Sequence, residues 1–228
     1  MNLSEFEKKI GITFKDKALL ERAFIHRSYI NENRKKGLEH NERLEFLGDA
    51  VLELAVTDFL FGKYPDKPEG DLTSYRSALV NTQTLSSAAN SLGANEHLML
   101  SKGESQDTGR ARSFILANTF ESIIGAIYLD QGYQTAKDFI ARNIFPLIDE
   151  IVRKELWKDA KSRFQEMAQE KTGITPSYKV LNEEGPDHAR IFSVGLFLGD
   201  EKVSEGRGES KQEAEQMAAE GGLKVKKW

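Results

Sequence analysis

The sequence predicts a multidomain chain in which an all-α domain is followed by a small α+β domain of order α-β-β-β-α. Three observations carry this. Apolar residues recur at three-and-four spacing from Leu3 to about Leu147. Composition then turns charged between Asp149 and Lys161. Beyond that point, alternating strand-like segments lie between two helical ones. We set the boundaries at 1–149 for the first domain, 150–160 for a linker and 161–228 for the second.

Each helical stripe can be read off in order. Leu3-Phe6-Ile10, Leu19-Leu20-Ala23-Phe24, Leu44-Leu47-Val51-Leu54, Leu72-Tyr75-Leu79, Leu85-Ala88-Ala89-Leu92 and Phe139-Ile140-Ile144 each fit one face of a helix, and the run from Phe114 to Leu129 is apolar on nearly all sides, the pattern of a helix inside a core. Pro65 to Gly70 breaks the chain, and Gly103 to Arg112, rich in Gly, Ser and Asp, is expected to be an exposed loop. In the second domain Phe164, Met167 and Ala168 mark a helix stopped by Gly173 and Pro176. Tyr178-Lys179-Val180 and Phe192 to Leu198 alternate as strands, with turns at Glu184-Gly185-Pro186-Asp187 and Gly199-Asp200. A closing helix starts at Ser210, which with Glu213 has the spacing of a capping box, and is expected to bury Ala214, Met217 and Ala218.

The 228 residues include no cysteine, which excludes disulfides and thiolate metal sites and suits a reducing cytoplasm. The first residues lack a signal-peptide apolar segment and no run is long enough to span a bilayer, so we expect a cytoplasmic protein without membrane contact. The net charge of -4 argues against nucleic acid. From Trp157 onward there are 12 Lys and Arg against 13 Asp and Glu, so neither part is basic. An RNA site must therefore rest on local arrangement.

Two stretches concentrate the chemistry. In His40 to Val56 the carboxylates Glu42, Glu45 and Asp49 stand at i, i+3 and i+7 along one side of a helix, a row that repels itself unless a cation faces it. In the largely apolar run Phe114 to Leu129, Asn118 and Glu121 are the only strongly polar side chains and share a face. A carboxylate buried there without a partner costs several kcal/mol, to order of magnitude, or takes up a proton. If the two helices pack together, aided by the missing side chains at Gly48 and Gly125, four oxygen-bearing residues converge, and oxygen ligands suit magnesium or manganese.

Asn41-Glu42-Arg43-Leu44-Glu45-Phe46-Leu47-Gly48-Asp49-Ala50 resembles the signature of the ribonuclease III family, and Glu121-Ser122-Ile123-Ile124-Gly125-Ala126-Ile127-Tyr128-Leu129-Asp130 resembles its second catalytic helix. Leu20 to Tyr29 and Glu69-Gly70-Asp71-Leu72 are also family-like. The order helix, three strands, helix is similar to the double-stranded-RNA-binding domain that often follows the nuclease domain in this family.

The resemblance implies a homodimeric endoribonuclease that cuts double-stranded RNA. Its products carry 5′-phosphate and 3′-hydroxyl ends with short 3′ overhangs, and its substrates are ribosomal RNA precursors, messengers and other structured transcripts. It implies Glu45, Asp49 and Glu121 as ligands of Mg2+, or of Mn2+ as a substitute, with Asp49 and Glu121 most directly tied to catalysis. Two ions roughly 3.5–4 Å apart can activate water and bear the phosphate charge. Where the family commonly has Asp, this chain has Asn118, which keeps an oxygen acceptor, loses the charge and gains an NH2 donor. We expect it still to serve as a ligand. Glu42 either joins this row or pairs with Arg43 or Arg112. From the residues alone Phe46 fits packing in its own core as well as an interface; the resemblance implies the interface, with Phe46 plugging a pocket on a two-fold partner.

For RNA, Gln165 and Glu166 on the first helix of the second domain and His188 in the turn are placed to reach 2′-hydroxyls in a shallow minor groove. Lys211 at a helix start offers a phosphate seat, although Gln212 replaces the basic residue that usually follows it in the family. His26, His40 and His97 are scattered and nothing in the sequence pairs them with a nucleophilic Ser, and Gly206 and Gly208 open no phosphate-binding loop. Two rivals stand beside the nuclease: a duplex-RNA-binding protein that cleaves poorly because of Asn118, and a helical scaffold whose second domain does the work.

Overall fold

A computed structural model describes residues 3–33, 37–155, 157, 160–186 and 190–228. The chain divides into two compact units, Met1–Trp157 and Lys158–Trp228. The first contains α1 (Ser4–Ile10), α2 (Lys17–Ala23), α3 (Arg27–Glu32), α4 (Glu42–Lys63), α5 (Glu69–Val80), α6 (Thr82–Ser91), α7 (Lys102–Gln106), α8 (Arg110–Gln131), α9 (Tyr133–Asn143) and α10 (Ile148–Arg153). Its core runs through the buried faces of α1, α2, α4, α5, α6, α8, α9 and α10. The helix α8 buries eleven of its 22 residues, as expected for a helix apolar on nearly every side.

Local chemistry fixes the ends. Asp16 caps α2 by accepting from the Ala18 amide, and Asn81 caps α6 by accepting from Thr84. Buried Asn41 places the start of α4: its amide donates to the Ile25 carbonyl and its side chain to the Ala23 carbonyl. The segment expected to be a loop from Gly103 to Arg112 is instead mostly helical. Ser101 caps α7 by accepting from the Glu104 amide, and Arg112 donates to the carbonyls of Glu104, Ser105 and Asp107, which holds the turn into α8. Arg112 is therefore no partner for Glu42, whose carboxylate lies 3.7 Å from Arg27 and 3.6 Å from His40. Leu54, expected on the buried stripe of α4, is 58% exposed, because the buried positions Leu44, Gly48, Val51, Leu52, Ala55 and Val56 lie to one side of it.

The second unit has α11 (Ala160–Thr172), then β1 (Ser177–Glu184), β2 (Ile191–Leu198) and β3 (Glu201–Gly208) as an antiparallel sheet in sequence order, then α12 (Lys211–Lys226). Phe164 and Ala168 of α11, Leu196 and Leu198 of β2, Val203 of β3, and Ala218 and Ala219 of α12 form its core. At Gly206 and Gly208 the sheet meets the backbone of α12 so closely that a Cβ would collide with it. The capping of α12 differs in one detail from a reciprocal box. Ser210 accepts from the Glu213 amide, but the Glu213 carboxylate accepts from Glu209, one residue earlier. Met217 is 48% exposed rather than buried, since the face turned inward is Ala214, Ala218, Ala219 and Gly222.

Candidate nuclease site and nucleic-acid interface

The helices α4 and α8 make the most extensive helix pairing in the first unit. They cross where neither has a side chain. A Cβ on Gly48 would collide with the Glu121 carbonyl and lie 2.9 Å from the Gly125 nitrogen, and one on Gly125 would collide with the Leu44 carbonyl and lie 3.2 Å from the Gly48 nitrogen. Backbone contact at that point draws the polar positions beside it together. Asn118, one turn before Glu121 on α8, comes close enough to Glu45 for its amide to favour the ionised carboxylate. Ser122 donates to the Asn41 carbonyl at 3.4 Å and so ties α8 to the start of α4.

Electrostatically the site is short of positive charge. Glu121 is half-buried, and its carboxyl is pushed up to about 8 by burial and then by the negative charges of Asp49, Glu45 and Glu53. Burial and Glu42 raise Glu45 too, with Asp49 adding to this and the Asn118 hydrogen bond opposing it. Among the described residues no Lys or Arg forms an ion pair with Glu45, Asp49 or Glu121. A set of oxygen donors with unbalanced negative charge fits a hard divalent cation. Also among the described residues, no three His, Asp or Glu side chains form a group that could hold an ion by themselves.

Of the sequence-predicted residues, Glu45, Asn118 and Glu121 are brought together, and Asp49 is exposed but close enough to raise both carboxyls. Phe46 is 81% exposed, so it does not pack in the core of its own chain. It borders a cavity of about 540 Å³ lined with Arg22, His40, Arg43, Leu47 and Leu129. In the second unit Gln165 and Glu166 are exposed on α11, and Lys211 is exposed at the first residue of α12. His188 lies outside the described residues. Sequence reasoning missed Glu53, which continues the acidic row one turn beyond Asp49 and pairs with Arg76 of α5 at 2.9 Å. It also missed Glu183 of β1, which lies 3.2 Å from the Lys211 ammonium. The i+4 spacing from Asp49 was a usable signal for the first; strand register supplies the second and is not visible in sequence.

The family model described as Ribonuclease-III-like matches residues 16–148, and that of the double-stranded RNA binding motif matches residues 160–226. The chain belongs to the ribonuclease III family. It is 47% identical over 213 residues to the ribonuclease 3 of Protochlamydia amoebophila, covering 93% of this chain and 87% of that one. With the ribonuclease 3 of Bdellovibrio bacteriovorus it shares 44% identity over 221 residues, 96% and 94% of the two chains. Among solved structures, the nuclease domain of ribonuclease III from Campylobacter jejuni superposes with a TM-score of 0.56 at 42% identity, covering 64% of this chain and 99% of that one, in a study of flexibility in the region involved in its dimer formation. This ribonuclease III is an endoribonuclease built from a helical nuclease domain and an α-β-β-β-α RNA-binding domain. Among its described residues no helix is long and apolar enough to cross a membrane.

Proposed function

We propose that this ribonuclease III hydrolyses double-stranded RNA as a cytoplasmic homodimer in a magnesium-dependent reaction, leaving 5′-phosphate and 3′-hydroxyl ends on ribosomal RNA precursors and structured transcripts. The observation that carries the reading is the raised carboxyl of Glu121 at the Gly48–Gly125 crossing, where an apolar helix gathers acid without a described cationic partner. Such a group is maintained at a functional cost to stability. Glu45, Asp49, Asn118 and Glu121 would hold Mg2+, or Mn2+ in its place. A divalent ion bound there supplies a nucleophilic water at neutral pH and charge for the phosphate. Magnesium is commonly held by one or two carboxylates with water and substrate phosphate oxygens, so a closed protein cage is not required. The chain's own contribution is to keep these donors on two helices locked backbone to backbone, with Asn118 beside Glu45.

Dimerisation supplies two such sites to one duplex. Phe46 stands out from α4 beside the cavity near Leu129, and a two-fold axis would offer the partner's cavity to each Phe46. In the second domain, exposed Gln165 and Glu166 on α11 would meet the shallow groove of A-form RNA, with exposed Lys211 for a phosphate.

One observation favours a second reading. Because Asn118 brings a donor to Glu45 where a carboxylate would bring charge, a duplex-RNA-binding protein with weak cleavage is the alternative. Metal-dependent cleavage by the natural protein separates these, and Asn118→Asp measures what the change costs; on the nuclease reading Asp49→Ala and Glu121→Gln each abolish cutting while duplex binding stays measurable. Normal cutting by either variant excludes the assigned site.

A further inference from the structure

The seat offered by Lys211 is already engaged by an anion of the protein itself. Glu183 lies near the end of β1, and the strand register pairs it with Phe192 of β2. The Lys211 ammonium rests 5.5 Å from the centre of the Phe192 ring, and this brings it to 3.2 Å from Glu183 Oε1. The other oxygen, Oε2, lies 3.4 Å from the Arg190 guanidinium, just before β2. One carboxylate of β1 thus bridges two cations, Arg190 just before β2 and Lys211 at the first residue of α12. The side chains of Glu183 and Lys211 are 36% and 57% exposed, so the bridge is open to solvent and can be exchanged.

We propose that Glu183 is an internal competitor for the phosphate of a duplex RNA, and that it sets the affinity and salt dependence of the second domain. This rests on the reading of Lys211 as a phosphate contact. A backbone phosphate and the Glu183 carboxylate each carry one negative charge and present oxygen to the same ammonium, so they exclude one another. When RNA binds, Glu183 has to leave Lys211 and remains close to the phosphate, where like charges repel. The competition limits adhesion to any polyanion and keeps binding dependent on the remaining duplex-specific contacts.

Glutamine at this position keeps the size and hydrogen-bonding oxygen but removes the charge. The experiment is binding of a labelled duplex RNA to the full chain in chelator, from 50 to 300 mM salt, for the natural protein, Glu183→Gln, Lys211→Gln and the double variant. The expected result is roughly three- to fivefold tighter binding by Glu183→Gln near 100 mM salt, with a slope of log K against log salt steeper by up to about 1, one additional phosphate neutralised. The gain disappears in the double variant, and all four proteins keep the same thermal midpoint within a few degrees. If Lys211→Gln weakens binding but Glu183→Gln binds no more tightly, the competitor role is overturned alone. If Lys211→Gln changes nothing in either background, the Lys211 contact itself falls, and the inference with it.

Discussion

Gly48 and Gly125 meet backbone to backbone where α4 crosses α8, and a methyl group on either would strike the opposite helix. The acidic site depends on this closeness, because it lets Asn118 reach Glu45 and sets Glu121 among the carboxylates of α4.

Gly48→Ala therefore forces the helices apart at the centre of the larger core. Overpacking of this kind costs about 1–3 kcal/mol or more, and the displacement takes the donors out of register. The expected outcome is a lower thermal midpoint and loss of cleavage even at temperatures where the variant remains folded, checked by melting curves beside a cleavage assay. Gly37, with open space around it, provides the control: Gly37→Asn leaves cleavage unchanged.

Magnesium binding should be coupled to proton release. With the Glu121 carboxyl pushed up to about 8, the group is largely protonated at pH 7 and must lose its proton to become a ligand. A raised acid favours the metal-free protonated form below that value, so apparent Mg2+ affinity for cleavage rises with pH and levels off above about 8. Activity titrations with Mg2+ at pH 6, 7, 8 and 9 check this. A flat dependence would show that Glu121 does not take part.

Asn118→Asp adds a negative charge beside Glu45. Without a divalent ion this sharpens the repulsion and lowers the thermal midpoint in chelator. With Mg2+ present the same charge becomes an additional ligand, and half-saturation for cleavage falls roughly tenfold, about 1.4 kcal/mol. Melting in chelator and cleavage against Mg2+ concentration should move in opposite directions.

Glu7 supports the first unit in a pH-dependent way. It is buried, which by itself would raise its carboxyl, but hydrogen bonds from Lys17 at 2.5 and 2.7 Å and from the Phe14 amide at 2.7 Å outweigh burial and hold it below the ordinary 4.5. A carboxyl lowered on folding contributes stability that is complete above about 4.5 and is lost as pH falls through the folded value. Lys17→Met should cost about 1–3 kcal/mol at pH 7 by leaving a buried acceptor underused. The difference from the natural protein should close below pH 4.5, as measured by denaturant unfolding.

The helices were legible because each carries its own stripe, and the α4–α8 crossing because two glycines stand beside the acidic positions. Leu54 and Met217 show where periodicity stops helping: both sit within a turn of buried positions but on the flank of a face whose width only packing defines. The segment around α7 read as a loop from its Gly, Ser and Asp, since its order comes from Arg112 donating to three carbonyls, contacts that composition does not encode. In the same way Glu53 and Glu183 gain their neighbours, Arg76 and Lys211, through tertiary packing. For Phe46 periodicity fitted a core as well as an exposed ridge; only the family resemblance put it outside the core, where the structure finds it exposed.

The most direct measurement is incubation of a long, perfectly paired RNA with the full chain in magnesium and again in chelator, with the products separated on a denaturing gel. Magnesium-dependent shortening to discrete fragments, with intact RNA in chelator, is the expected result. Intact RNA in both, with the same RNA retarded on a native gel, would contradict it and leave a duplex-binding protein whose Asn118 cannot complete the site.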